Sequence, residues 1–298
     1  MLYPPKLYIP FLADNGLPAG VDATELELMS DVLVKSLRAE ADQARKGMYS
    51  FGGYNTANVA VAYAMRFPDD ELWNEVVAFL LDDDIDAVLK ADSLDRLARF
   101  LEDVPERAQV NLTSGYESLL NTKREDHFFA STTLPVFAEA VRLTAALHAF
   151  PQDRALSYAM ELAAGDDVAR TEAAKTIPYI MESADSTWGH SLLLQLSHDK
   201  NSVVRAEAAS ALVLSLHFES ALLETVKLRI EVLLREDGVR TPALMLHAIR
   251  RQSEKRPGTV YFLASMVEGR ASTDSPRLIR RIADDTLSVI REARTSGL

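Results

Sequence analysis

The sequence contains no cysteine. This removes disulfides, thiolate nucleophiles and every cysteine-ligated zinc or iron-sulfur site in one step. Long apolar runs are missing too: the longest, such as Val76 to Leu81, fall well short of the roughly 18 residues that span a bilayer. Pro4, Pro5 and Pro10 interrupt the apolar residues of the opening MLYPPKLYIPFLADNG, so no secretory leader and no membrane association are expected. A cytoplasmic protein is the expected setting. No GxSxG elbow, P-loop or GxGxxG occurs, so the common hydrolase, nucleotide and dinucleotide signatures are absent. The six histidines, His127, His148, His190, His198, His217 and His247, never form HExxH or HxH, and no cofactor or metal is expected.

Positive charge is also in short supply. The 298 residues carry 32 Lys and Arg against 44 Asp and Glu, for a formal net charge of −12. The imbalance sits in the first 130 residues, with 12 basic against 23 acidic side chains, whereas residues 235–298 carry 12 basic against 8 acidic. Such a balance disfavours nonspecific nucleic-acid binding and favours a basic or neutral partner.

What is present is helical patterning. Apolar residues recur at three and four spacings, broken by polar, Gly or Pro punctuation. The pattern predicts helices over 24–46, 55–66, 70–81, 93–102, 105–120, 132–148, 152–164, 167–181, 187–197, 201–216, 219–235, 239–252, 258–268 and 275–293. Residues 1–24, with Tyr3, Tyr8, Phe11 and three prolines, read as an extended segment. The glycine-containing KGMYSFGGY, 46–54, reads as a loop.

An internal repeat dominates the second half. Val168-Ala-Arg-Thr-Glu-Ala-Ala174 aligns with Val203-Val-Arg-Ala-Glu-Ala-Ala209, matching five of seven positions at an offset of 35. Arg240 and Ala243 fall a further 35 on, and Arg280 with Ala283 repeats the spacing after an interval of 40. A period of this size with two helices per unit marks an α-solenoid.

The stretch HDKNSVVRAEAASALVL, 198–214, resembles the second half of a HEAT repeat. In that pattern an Asp in the turn precedes Val and Arg on the second helix, followed by small residues. Asp199, Val203, Arg205, Ala208, Ala209 and Leu212 occupy those places, and Asp166 or Asp167, Val168, Arg170, Ala173, Ala174 and Ile177 repeat them. The resemblance is clearest over 152–252. It implies an all-α, right-handed α-solenoid of antiparallel helix pairs over 151–298, preceded by a divergent helical region over 25–150 that has no recognised register. It also implies that Asp166, Arg170, Asp199, Arg205 and Arg240 form a structural ladder between repeats. Iron-binding HEAT-like hydroxylases use His-Glu pairs, and no His-Glu dipeptide occurs here.

Candidate functional residues follow from chemistry. Tyr49, Phe51 and Tyr54 are aromatics in a glycine-containing loop, a frequent recognition arrangement. Asp82, Asp83, Asp84 and Asp86 form the densest cluster of hard ligands, but the twelfth position from Asp82 is Ser93, so an EF-hand is excluded and a solvated link or acidic partner surface is expected. Both groups suit a protein-interaction module, a scaffold, adaptor or inhibitor that holds a basic or disordered segment of another protein. The alternative is a nucleic-acid-binding or DNA-repair protein of the HEAT-like DNA glycosylase type. It would use Arg250, Arg251, Lys255, Arg256, Arg277, Arg280 and Arg281 as one patch, with Asp185 and Trp188 as the pair that glycosylase clefts employ. The net charge opposes it.

Overall fold

A computed structural model describes residues 23–46, 56–120, 130–181, 186–272 and 274–295. Every regular element among them is a helix. The chain divides into two compact units, Met1–Ala155 and Leu156–Leu298.

In the first unit α1 (Ala23–Arg45), α2 (Thr56–Arg66) and α3 (Asp70–Leu81) pack on one another. Asp69 starts α3 by accepting the Leu72 amide at 2.8 Å, and Asp70 and Glu71 in the first turn favour the helix dipole. Leu72, Trp73, Val76, Val77, Phe79 and Leu80 are buried from that helix. Two arginines clamp α1 to α3: Arg38 pairs with Glu71 and Glu75, and Arg45 with Asp82. A single-turn 3-10 helix (Ala87–Leu89) leads into α4 (Ala91–Arg99).

The 105–120 helix expected from the pattern is broken into α5 (Glu106–Ser114) and α6 (Tyr116–Leu120). The break falls at Gly115, where a Cβ would stand 2.7 Å from both Leu81 methyls, so the chain turns where it passes under α3. Helix α7 (Ala130–Ala146) packs on α4 and α6. Its Arg142, 2% exposed, lies 3.3 Å from Asp95 of α4 and 3.7 Å from Glu139. Removing one partner of a pair this buried costs on the order of 3–5 kcal/mol.

In the second unit helices alternate between two rows. The first row contains α8 (Gln152–Ala164), whose first turn spans the boundary between the units, then α10 (Thr187–Leu196), α12 (Leu223–Leu234) and α14 (Ala264–Arg270). The second row is α9 (Asp167–Ile180), α11 (Ser202–Leu214), α13 (Arg240–Lys255) and α15 (Arg277–Thr295), each packed on the next. Residues 257–263, expected to be helical from 258, instead form two 3-10 turns before α14.

Burial fixes the repeat register. Ala169, Val204, Thr241 and Ile279 are buried at one level, and Ala173, Ala208, Met245 and Ala283 at the next. Ile177, Leu212, Ile249 and Leu287 follow two turns further along than the first level. The successive offsets are therefore 35, 37 and 38. The expected third copy at 35 is displaced by two residues, and α12 has twelve residues where α10 has ten. Pro242, not Arg240, takes the place of Arg205. It is the third residue of α13, inside the first turn where proline costs no intrahelical hydrogen bond. Arg280 regains the position.

This stacked arrangement of paired helices is an all-α solenoid architecture. Helices α8 and α9 join at Gly165, where a Cβ would sit 2.6 Å from the Cβ of Ala169. We expect Gly165→Ala to lower stability by about 1–3 kcal/mol through overpacking, and Gly165→Ala/Ala169→Gly to recover most of it. Urea unfolding of the two variants checks this.

Candidate functional site

A network of charged and polar groups lies where the first-row helices end and the second-row helices begin. Asp166 accepts the Ala169 amide at 2.9 Å and so caps α9, which removes it from the expected ladder. Asp167 takes that place: it pairs with Arg170 and accepts from Asn201 Nδ2 at 2.7 Å. Arg170 Nε donates to Asp199 of the next turn at 2.6 Å, and its Nη1 donates to the Gly165 carbonyl at 2.7 Å. One repeat on, Arg205 donates to the Asp199 and Lys200 carbonyls and lies 3.6 Å from Glu236.

Burial by itself would raise the Asp199 carboxyl, but the Arg170 hydrogen bond and the Asn201 amide outweigh it and hold the group below the usual carboxylate range. Arg240, at the Val203 level, is exposed and joins no ion pair among the described residues.

A second set of arginines escaped the sequence reading. Arg229 of α12 donates to Ser197 Oγ at 2.9 Å and to the Ser197 carbonyl at 2.5 Å. Arg270 of α14 donates to the Leu234 carbonyl at 2.6 Å and the Glu236 carbonyl at 2.8 Å. Helices α12 and α14 thus each cap carbonyls at the C-terminal end of the first-row helix before them. The interval between Arg229 and Arg270 is 41, which does not match the second-row offsets.

The acidic run after α3 is divided in its roles. Asp82 accepts from Arg45 Nε at 2.9 Å and from the Asp84 amide at 2.9 Å, and its carbonyl receives Lys90 Nζ at 2.7 Å. Burial again works against the charge, but the Asp84 amide and Arg45 outweigh it and hold Asp82 below the usual carboxylate range. Asp86 caps the following 3-10 turn through the Val88 amide at 2.9 Å. Asp83 and Asp84 are exposed. Tyr49, Phe51, Tyr54, Asp185 and His127 lie outside the described residues, and Trp188 is half-buried in the first turn of α10.

The proposed basic patch does not assemble. Helices α13 and α15 are neighbours, but they run in the same direction. Gln252, late in α13, donates to the last carbonyl of α11, while Arg294, near the end of α15, donates to the Tyr261 carbonyl just beyond α13. Arg250, Arg251, Lys255 and Arg256 therefore sit at one end of the row and Arg277, Arg280 and Arg281 at the other. At about 1.5 Å per residue, seven or more residues of helix part them by about 10 Å or more. Arg250 also pairs with Glu254 at 3.3 Å.

Two histidines converge on the end of α11. His190 is fully buried, with Nε2 3.2 Å from both the Ser215 carbonyl and its Oγ. His217 Nδ1 lies 3.0 Å from the Leu214 carbonyl, and its ring stacks on Phe218 at 3.9 Å. Among the described residues no group of three His, Asp or Glu side chains is placed to hold a metal ion. A groove of about 500 Å³ runs between α12 and the 3-10 turns, lined in part by Leu216, Leu223, Leu228 and Phe262. A second, of about 230 Å³, lies between α1 and α3 under Arg38 and Arg45. No helix among the described residues is long and apolar enough to cross a membrane.

No protein-family model matches the chain, and no curated protein matches it. Among solved structures, an archaeal HEAT-like repeats protein from Thermococcus onnurineus NA1 is similar at 13% identity and a TM-score of 0.33, over 98% of this chain and 99% of that one. Two engineered proteins are similar at 16% and 15% identity with TM-scores of 0.41 and 0.37. The first match covers 96% of this chain and 78% of the other, and the second covers 80% and 98%.

Two outcomes are expected. Arg170→Gln and Arg205→Gln each lower the thermal midpoint, whereas Arg240→Gln leaves it unchanged, as differential scanning calorimetry would register. The second concerns pH. Burial pulls His217 down to about 4 from 6.5, with the Arg256 charge acting in the same direction, and burial also lowers His190. As pH falls through the ordinary histidine range the unfolded chain takes up protons that the folded chain refuses, so stability declines between about 6.5 and about 4. His217→Gln flattens that decline, and Asp199 loses its contribution only at lower pH.

Proposed function

We propose that this chain is a protein-protein interaction module, a scaffold, adaptor or inhibitor that holds a basic or disordered segment of a partner. The observation that carries this reading is the in-register stack of helix pairs over 152–295, which leaves one side of the second row open to solvent. Val168, Thr171, Lys175, Ser210, His247 and Asp285 are at least partly exposed there. A surface assembled from successive repeats suits an extended polypeptide, because each repeat offers the next contact along the strand.

Charge supports a basic partner. The acidic excess lies in residues 1–130, where Asp83 and Asp84 are exposed. Exposed carboxylates of this kind steer a cationic segment into contact and confer salt sensitivity more than affinity.

The test is capture of partners by the tagged chain from its host, with and without nuclease. We expect one stoichiometric protein that survives nuclease and whose recovery falls severalfold with Asp83→Lys/Asp84→Lys at an unchanged thermal midpoint. Recovery that vanishes with nuclease, or that ignores both substitutions, rejects the reading.

A further inference from the structure

We propose a second, oppositely charged docking site at the end of the second row where α13 and α15 begin. It is built from Arg240, Arg277 and Arg281 around the exposed Leu278 and Val239, and its occupant is an acidic peptide segment that carries apolar side chains.

Most arginines of this unit are engaged. Arg170, Arg205, Arg229, Arg250, Arg270 and Arg294 each bond a carboxylate or a carbonyl. Arg240, Arg277 and Arg281 are exposed and make no ion pair or hydrogen bond among the described residues, in a chain with twelve more acidic than basic side chains.

The repeat register brings them together. With the 38-residue offset between α13 and α15, Arg277 stands level with Val239, Leu278 with Arg240, and Arg281 with Ala243 one turn further along. Packed helices lie about 8–10 Å apart, so three long guanidinium side chains from parallel neighbours can meet on one bound carboxylate-bearing strand. Asp237 and Asp274 stand in the two links that precede these helices, and Asp284 and Asp285 follow on α15. The local field is therefore modest, which favours a short ligand held by geometry.

The apolar residues choose the ligand class. Leu278 is 55% exposed and Val239 42% exposed, and they stand level with Arg240 and Arg277 respectively. A phosphodiester backbone offers them nothing to bury, and the chain's net charge repels an extended polyanion at long range. A peptide that alternates carboxylates with leucines satisfies both the guanidiniums and the apolar patch.

The experiment titrates the full chain into a fluorescein-labelled peptide of alternating Glu and Leu and follows anisotropy at several salt concentrations. We expect saturable, salt-weakened binding. Arg240→Gln/Arg277→Gln/Arg281→Gln should weaken it by roughly tenfold or more and shallow the salt dependence. Leu278→Ser should weaken it severalfold with the salt dependence retained. All four side chains are exposed, so circular dichroism melts should match the wild type. Absence of binding at low salt, equal binding by the triple variant, or tighter competition by a short DNA duplex than by unlabelled peptide overturns the proposal. A duplex that wins would make this a phosphate-binding surface instead. The Asp83→Lys/Asp84→Lys variant should bind the peptide undiminished, which separates this site from the proposed basic-partner surface.

Discussion

The second unit depends on the second-row helices burying apolar side chains on two neighbours at once. An isolated helix pair cannot do this: Ile177, Leu212, Ile249 and Leu287 are covered only because each helix is stacked on the next. Small residues make the stacking close, with Ala173 and Ala174 of α9 facing the same environment as Ala208 and Ala209 of α11. Stability in such an array is a sum of helix-pair and neighbour terms, so a clash at one junction propagates to the pairs on either side.

Close stacking creates an electrostatic problem that the arginines solve. Each first-row helix ends with carbonyls pointing at the start of a second-row helix, and unpaired carbonyls buried there would be costly. Arg170 and Arg205 supply donors from within the repeat, and Arg229 and Arg270 supply them from the following first-row helix. Asp167 and Asp199 then neutralise the guanidinium that performs this capping. The ladder is therefore a consequence of helix-end chemistry and leaves few of its charges open for a ligand. Where Pro242 replaces the ladder arginine, Arg240 on the same helix is left exposed, which is how an anion-seeking surface arises in an acidic chain.

The two proposed surfaces differ in origin. Asp83 and Asp84 are the remainder of an acidic run whose other members cap a 3-10 turn and hold Arg45. Arg240, Arg277 and Arg281 are brought together by a shift of register. Both surfaces carry exposed charge, which distinguishes them from the half-buried ladder despite the similar composition.

The sequence by itself determined the helical class, nearly all helix positions after 150, and the equivalence of Arg170 and Arg205 in successive repeats, because apolar periodicity and a five-in-seven repeat are local signals. It could not determine the third register. That depends on α12 being two residues longer than α10, and the effect of such an insertion appears only once burial shows which side chains share a level. The outer arginines were invisible for the same reason, since their partners are backbone carbonyls with no residue signature. Whether the basic residues of α13 and α15 share a surface was decided only in three dimensions. Parallel stacking sends the two ends of a helix apart, and charge proximity along a chain carries no information about that direction.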